Sequence, residues 1–314
     1  MNKIRRRDFI KTGLIAGGAV ILSNQLSGSG FEMNGQKPYK LPAAGEIPDI
    51  VTINAGDPED VIARLLEPLG GIGNFVRSGQ SVGLLVNSPW KHIGYYTQPD
   101  VVIALANLCL EVGAKEIICF KPAQQTYWER GKLYDKYKNV VDGFLYGTDR
   151  IEVEIPKGVS LKKAEIFKEF NEVDIFISVP VAKHHAGCIF SGNLKGLMGV
   201  SSSYTNRNMH SPDGQYTYEE EEYLAQCIAD LNLLRKPDLC IIDAIECAQN
   251  NGPAGPGNTT RPGKILAGKD PLAMDVYAAS LIGFYPEDIL TFKRAYEHNL
   301  GEIEPGKLKL KEIL

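Results

Sequence analysis

Short apolar runs alternate with amphipathic segments along the chain. The runs are rich in Val, Ile and Leu and have the length of strands buried on both faces. A strand, a helix and a second strand at this spacing form a βαβ unit, which requires the two strands to be parallel. The sequence therefore predicts an α/β fold with a mostly parallel, Rossmann-like sheet and helices on both faces. The predicted strands are 50–54, 81–87, 115–120, 173–181, 238–243 and 264–267.

Helix signals fall between these strands. Asp57 followed by Pro58 and Asp270 followed by Pro271 are typical of a capping carboxylate with Pro in the first turn. Further helices are predicted after Gln98 and over 219–234 from their apolar periodicity. The segment 127–146 is rich in aromatic and charged residues, and 151–155 alternates like a half-exposed strand. These segments are compatible with a small inserted subdomain, whose aromatic side chains either form a ligand rim or pack on the surface.

The N-terminal residues differ from the rest of the chain. Arg6-Arg7-Asp8-Phe9-Ile10-Lys11 precedes a short apolar run, the pattern of a twin-arginine export signal over 1–30. This predicts export to the periplasm or cell envelope, with the twin-arginine machinery as a partner. Membrane contact would come only through this segment if it stays uncleaved. Residues 31–48 are predicted to be a linker and 49–314 the α/β domain.

Composition narrows the classes of partner. The 314 residues include 34 basic and 38 acidic side chains, with a net charge of −4, which gives no field to attract nucleic acid. The six cysteines have no C-x-x-C spacing and no iron–sulfur motif, so buried free thiols are expected. The glycines of 252–257 free backbone N–H groups to approach an anion, but no nucleotide-binding fingerprint is present.

The stretch 173–200 carries the densest chemistry. A predicted buried strand is followed by Lys183, His184 and His185, and then by Lys195 in a segment with helical spacing. In open parallel sheets ligands bind beyond the carboxyl ends of the strands. Lysines neutralise a carboxylate or phosphate, and an imidazole that titrates near neutral pH moves a proton. These four residues are the predicted catalytic set.

Further candidates for ligand binding are polar side chains that follow the other predicted strands, or that lie in segments otherwise apolar. The loop that begins at Lys121 is expected beside 87–92. Asp275 lies in an otherwise apolar helix, where a buried carboxylate needs a partner, whereas Asp270 is read as a helix cap. The predicted ligand-binding residues are Asn87, Lys91, His92, Ser191, Asn193, Asp243, Asn250, Asn251 and Asp275.

Two functions fit this set. One is an exported enzyme that acts on a small anionic, carboxylate-type substrate by proton transfer, with a metal ion or a Lys-linked cofactor compatible with the site. The alternative is a non-catalytic envelope protein that binds an anionic ligand or a metal. The residues alone do not separate the two.

Several motifs resemble a known family. The Lys-His-His run, the Ser-Gly-x-Leu-Lys-Gly motif from Ser191, and the later segments 252–257 and 266–275 are similar, in this order, to the uncharacterised family called domain of unknown function 362. The resemblance covers roughly residues 82–283.

A more distant likeness implies a mechanism. The spacing from His185 to Lys195, with small residues between them, resembles nickel-pincer lactate racemases. That resemblance implies an acid/base role for His185, a cofactor carried by Lys195 and a nickel ligand at His210. The chain departs from the pattern at Asn193-Leu194 and at Gly199, which has no preceding Pro. His210 also lies one residue short of the position that the pattern gives to the nickel ligand.

Overall fold

The alternation of apolar runs and helices produces one large sheet covered on both faces. The computed structural model describes residues 39–211 and 214–314. The predicted twin-arginine signal over 1–30 and the first part of the linker, 31–38, lie outside the described residues.

The strands, in chain order, are β1 Ile50–Asn54, β2 Ser81–Val86, β3 Glu116–Cys119, β4 Leu145–Tyr146, β5 Arg150–Glu154, β6 Lys163–Phe167, β7 Ile175–Val179, β8 Lys183–His185, β9 Ile189–Ser191, β10 Leu239–Ala244, β11 Cys247–Ala248, β12 Thr259–Thr260, β13 Lys264–Gly268 and β14 Leu310–Ile313. The α-helices are α1 Pro58–Leu66, α2 Pro99–Glu111, α3 Gln125–Trp128, α4 Lys138–Asp142, α5 Glu169–Glu172, α6 Asn193–Gly196, α7 Ser203–Met209, α8 Tyr218–Leu231, α9 Pro271–Leu281 and α10 Leu290–Glu297. Short 3-10 helices cover Glu67–Leu69, Ile72–Asn74, Leu197–Val200, Pro286–Asp288 and Pro305–Lys307.

The large sheet has eight strands in the order β14-β1-β13-β10-β7-β2-β3-β4. Neighbours are parallel except at β13, which is antiparallel to both β10 and β1. The predicted mostly parallel α/β fold is therefore confirmed. From β2 the chain continues to β3 on one side, and from β7 it continues to β10 on the other. The strand order thus reverses between β2 and β7, which pair from Val82↔Ile175 to Val86↔Val179.

Both faces of the sheet are buried, as the apolar runs predict. In β7, Ile175, Ile177 and Val179 pack in the core layer that also contains α1 and α2, whereas Phe176 packs in the layer that contains α8 and α9. Because side chains alternate along a strand, a strand covered on both faces must be apolar at nearly every position. This explains why the central strands read as continuous apolar runs.

Helix starts follow the predicted signals. The Asp57 carboxylate accepts a hydrogen bond from the Asp60 backbone N–H, and Asp270 accepts from those of Leu272 and Ala273. Both are N-caps that satisfy backbone donors with no partner inside the helix. The prediction that Asp270 is a cap is confirmed.

The aromatic segment 127–146 packs into the core instead of forming a ligand rim. Tyr127 and Trp128 are buried in the layer next to α2. The strands β5 and β6 form a separate two-stranded antiparallel sheet. Apolar periodicity did not predict the short β8–β9 hairpin or β14. Nor did it predict the helix α7, whose residues are mostly polar.

The folded body begins before residue 49. Tyr39, inside the predicted linker, is buried with its ring 5.2 Å from that of Tyr277, and the Lys40 N–H donates to the Leu308 carbonyl at 2.8 Å. Within residues 39–211 and 214–314, none of the helices has the length and apolar content that a membrane span requires.

Gly83 in β2 gives a test of this packing. A Cβ there would overlap the Phe120 ring and lie 2.9 Å from Cγ2 of Val173. Because the core is close-packed, we expect Gly83→Ala to lower the free energy of unfolding by about 1–3 kcal/mol, measured by urea denaturation. Gly73→Ala is the matched control, since a Cβ at Gly73 has no atom within 4 Å. It should change stability by less than about 0.5 kcal/mol. Equal stability of the two variants would contradict this packing.

Candidate functional site

A cavity opens where the strand order reverses. It has a volume of about 320 Å³ and lies beyond the carboxyl ends of β2 and β7. Connections that leave adjacent strands in opposite directions open a crevice between them, and ligands bind there in open α/β sheets. The polar side chains among the described lining residues are Asn87, Lys121, Ser178, Lys183, His185, Ser191, Lys195, Asn206 and His210.

The β8–β9 hairpin places the side chains of Lys183, His184 and His185 on two opposite faces. Lys183 pairs with Ser191, and His185 with Ile189. Because successive side chains of a strand point to opposite faces, Lys183 and His185 share one face and His184 takes the other. Lys183, His185 and Ser191 line the cavity. His184 lies with its ring 6.1 Å from that of Phe284.

Lys183 ties two loops to the β8–β9 hairpin at the rim of the sheet. Its ammonium is buried and donates to the backbone carbonyls of Tyr95 at 2.7 Å and Pro253 at 3.2 Å. Tyr95 belongs to the loop after β2, and Pro253 to the segment after β11. The Lys183 Nζ also lies 5.5 Å from the centre of the Trp90 ring, within range of a cation–π interaction.

Hydrogen bonds give the two cavity imidazoles opposite proton positions. His185 Nδ1 accepts from the Gly187 backbone N–H at 3.1 Å, so the neutral ring carries its proton on Nε2. His210 Nδ1 donates to the Asn206 carbonyl at 2.7 Å, which leaves a lone pair on Nε2. The ring centroids are 5.9 Å apart. The Nε2 atom of neutral His185 is therefore a hydrogen-bond donor, and that of neutral His210 is an acceptor.

The cavity brings basic side chains together without an acidic side chain among its described lining residues. Burial, followed by the charge of Lys195, holds the pKa of Lys183 well below its usual range. Burial also lowers the pKa of Lys195, and Lys121 adds to that shift. The pKa of His185 is depressed strongly by burial and next by Lys195. None of the described residues that line the cavity is acidic. An anion is the group that would relieve this concentration of positive charge.

A buried carboxylate holds the helix that carries Lys195. Asp275 accepts hydrogen bonds from the backbone N–H groups of Asn193 and Leu194 at 2.7 and 2.9 Å, and from Asn193 Nδ2 at 3.0 Å. A Cβ at Gly192 would overlap the Asp275 carboxylate, so glycine is needed for this close approach. Burial raises the pKa of Asp275 to about 7, and the three hydrogen bonds oppose that shift. Asp275 and Asn193 therefore position the site and do not line the cavity.

Asp243 has a similar structural task. Its carboxylate accepts from the backbone N–H groups of Gln98 at 2.7 Å and Ile245 at 3.0 Å. It thereby ties the loop after β2 to the end of β10. Burial raises the pKa of Asp243 to about 6.

The remaining predicted ligand-binding residues also lie outside the cavity lining. Lys91 and His92 are exposed. Asn250 Oδ1 accepts from the Asn258 N–H at 2.8 Å, and Asn251 Nδ2 donates to the Pro256 carbonyl at 2.9 Å. Both amides thus fold their own loop.

The glycine-rich loop uses backbone groups within the protein. The Gly252 N–H donates to His184 Nδ1 at 3.1 Å, and the Gly255 N–H donates to the Asn251 carbonyl at 2.9 Å. These two donors are therefore not directed at an anion. What the loop supplies to the site is the Pro253 carbonyl, which holds Lys183.

Sequence reasoning missed several contributors. Trp90, Met198 and Asn206 line the cavity, and Lys121 lies at the same cavity from the loop after β3. Lys121 could have been identified from the sequence, because its loop was expected beside residues 87–92. The carbonyls of Tyr95 and Pro253 could not have been identified, because every residue has a backbone carbonyl.

Metal-ligating side chains do not form a cluster of their own. Residues 39–211 and 214–314 contain no group of three or more His, Cys, Asp or Glu side chains near enough to hold a metal ion. All six cysteines are buried and free, as expected from their spacing.

Asp275→Asn tests the support of the Lys195 helix. At about pH 8, where the carboxylate is ionised, the amide would set an N–H₂ group against backbone N–H donors. We expect unfolding free energy to fall by about 1–3 kcal/mol, measured by urea denaturation. Glu287→Gln is the control, because this side chain is exposed. A loss no larger than that of the control would contradict the assigned role.

Comparison with known proteins finds a curated relative and several solved structures. The chain is 28% identical over 256 residues to the thylakoid-associated protein sll1697 of Synechocystis sp., covering 76% of this chain and 74% of the relative. The lactate racemase apoprotein of Thermoanaerobacterium thermosaccharolyticum matches with a TM-score of 0.38 and 15% identity, over 65% of this chain and 55% of that one. A Thermotoga maritima protein matches with a TM-score of 0.33 and 14% identity, over 60% and 51%. The chain thus spans about half the length of these two structures.

A family model matches residues 84–280, which include the end of β2, the β8–β9 hairpin, Lys195, His210 and Asp275. These are the elements that build the cavity and support it. The chain belongs to the family described as domain of unknown function DUF362.

Proposed function

We propose that the protein is an enzyme that binds a small carboxylate-type anion in this cavity and moves a proton on it. One observation carries the proposal: three lysines and two histidines meet in a cavity whose described lining contains no acidic side chain. Uncompensated buried charge costs free energy, so a fold retains it where a ligand of opposite charge binds.

Lys195 and Lys121 are the cations available to the anion. Lys195 is half-buried, and no described residue pairs with it. Lys121 is exposed at the cavity. The ammonium of Lys183 is already held by two carbonyls, so it acts through its field and through the loops that it positions.

The two cavity imidazoles, His185 and His210, have different roles in the proposed proton transfer. His210 has its Nε2 lone pair free to accept a proton, while His185 offers Nε2–H to an oxygen on which charge develops. This assignment differs from the racemase resemblance, which gives His185 the acid/base role. His185 cannot accept a proton on Nδ1 without losing the hydrogen bond from Gly187.

A nickel cofactor is implied by the same resemblance, and the described residues supply one side-chain ligand and one attachment point for it, not a full set of metal ligands. Lys195 has an unpaired amine for a covalent link, and His210 has a free Nε2 for a metal. A bound metal would act as a Lewis acid on the substrate. In that arrangement His210 would bind the metal, and the proton would need another acceptor.

A non-catalytic binding protein is the second candidate. The feature that favours it is His185, whose fixed tautomer suits recognition of an anion more than proton exchange. The two functions can be separated by experiment. His210→Asn should keep anion binding whichever function is correct. If the protein is an enzyme, the substitution should also abolish turnover, whereas a binding protein has no turnover to lose.

We also propose export through the twin-arginine route to the periplasm or cell envelope. The pattern Arg6-Arg7-Asp8-Phe9-Ile10-Lys11 supports it. The curated relative is named for association with thylakoids. For this chain we propose membrane contact only through the signal segment, if that segment stays uncleaved.

Anion binding should weaken as the pH rises. Because the pKa values of Lys183 and Lys195 are lowered in the free protein, the anion must bring protons onto these amines once the pH exceeds the lowered values. Malonate affinity, measured by calorimetry from about pH 7 to about pH 9, should fall by up to about tenfold per pH unit for each proton taken up. Calorimetry in two buffers of different ionisation heat measures that uptake directly.

Lys195→Ala and Lys91→Ala form the matched pair for this test. Loss of a charged hydrogen bond at Lys195 should weaken malonate binding roughly tenfold to a hundredfold. Lys91 is exposed outside the cavity lining, so Lys91→Ala should bind as the parent does. Equal effects of the two substitutions, or binding that strengthens with pH, would remove the proposed anion site.

Export and cofactor are checked on protein taken from its own cells. Replacing Arg6 and Arg7 together by Lys should leave the protein in the cytoplasm, because twin-arginine signals require the arginine pair. Envelope localisation of that double variant would contradict the proposed route. Intact mass and metal analysis of the unaltered envelope protein then report signal cleavage, a covalent group on Lys195 and bound nickel. An unmodified Lys195 would remove the Lys-linked cofactor.

A further inference from the structure

The amine of Lys195 differs from the other buried amine of the cavity. Lys183 has two carbonyl acceptors at 2.7 and 3.2 Å, which fix its nitrogen as a donor. Lys195 has no hydrogen-bond or ion-pair partner among the described residues, although it is half-buried and lines the same cavity. Its nitrogen is therefore free to react with a ligand.

The surroundings of Lys195 favour the reactive form of an amine. A neutral amine is nucleophilic and an ammonium is not. Burial and neighbouring positive charge both favour the neutral form. Lys195 meets both conditions: burial lowers its pKa most and the charge of Lys121 lowers it further, while the neighbouring Cys188 thiol group opposes the shift. The carboxylate that holds its helix, Asp275, bonds to backbone and amide N–H groups and not to the Lys195 amine.

We propose that Lys195 is a nucleophile that forms an imine with an anionic carbonyl substrate of the 2-oxo acid class. The nitrogen lone pair attacks the carbonyl carbon, and one N–H proton passes to the carbonyl oxygen, which becomes a hydroxyl. The second N–H proton then passes to this hydroxyl, which leaves as water while the C=N bond forms. The products are an imine and one water molecule, with no change of oxidation state. The Nε2–H of His185 is a donor available to the carbonyl oxygen during the attack.

This inference rests on the proposed function and deepens it. An imine withdraws electrons from the neighbouring carbon, so the C–H bond on that carbon becomes acidic enough for a weak base to take its proton. The carboxylate of a 2-oxo acid would meet the positive charge of Lys121 and Lys183. A covalent cofactor and an imine on the same nitrogen exclude one another.

Reductive trapping tests the proposal. The full-length protein is incubated with pyruvate and cyanoborohydride at about pH 7, where exposed lysines are protonated. Intact mass and peptide mapping then count and locate the secondary amine. We expect one adduct for each chain, located on Lys195. Lys195→Arg should abolish it, whereas Lys91→Arg should trap pyruvate as the parent does.

Several outcomes would overturn the imine. These are the absence of an adduct, an adduct on Lys183, or adducts spread over exposed lysines. Mapping on the parent protein needs no variant, so the result stands even if Lys195→Arg folds poorly. Malonate, which has an anion but no ketone, separates the two ideas. If malonate binds and no adduct forms, the imine is excluded and the anion site remains. If neither occurs, both are excluded.

Discussion

The burial of one ammonium group constrains the whole rim of this sheet. Lys183 is placed in the interior by the β8–β9 hairpin, and a buried cation without an acceptor is costly. The carbonyls of Tyr95 and Pro253 satisfy it, which requires the segments after β2 and β11 to converge on the end of β7. The cavity lies where these segments meet. Its positive charge is therefore a consequence of how the loops are held together.

Carboxylates act in this structure as supports. Asp243 binds the N–H groups of Gln98 and Ile245, and Asp275 binds those of Asn193 and Leu194. Each is buried and satisfied by backbone donors away from the cavity. Because both acids are used for positioning, the described lining remains cationic. The result is a cavity with a cationic described lining, supported by carboxylates that bind elsewhere.

Local geometry decides the chemistry of each imidazole. Three histidines lie within the central region, and each has Nδ1 engaged by a backbone group. Gly252 and Gly187 donate to His184 and His185, whereas the Asn206 carbonyl accepts from His210. The same residue type is thus a packed side chain, a fixed donor and a free acceptor. Residue identity alone would have assigned all three the same role.

The fold class could be predicted from the residues alone, because strands covered on both faces must be apolar at nearly every position and capping residues mark where helices begin. The sequence also located the motif around Lys183, His185 and Lys195, since ligands bind beyond the carboxyl ends of parallel strands. Which residues reach the cavity depended on the three-dimensional arrangement. The alternation of side chains in the β8–β9 hairpin places His184 on the face opposite the cavity. Hydrogen bonds to backbone groups hold the Asn250 and Asn251 side chains within their own loop. Carbonyl acceptors and the reversal of strand order depend on contacts distant in the chain, which no local pattern encodes.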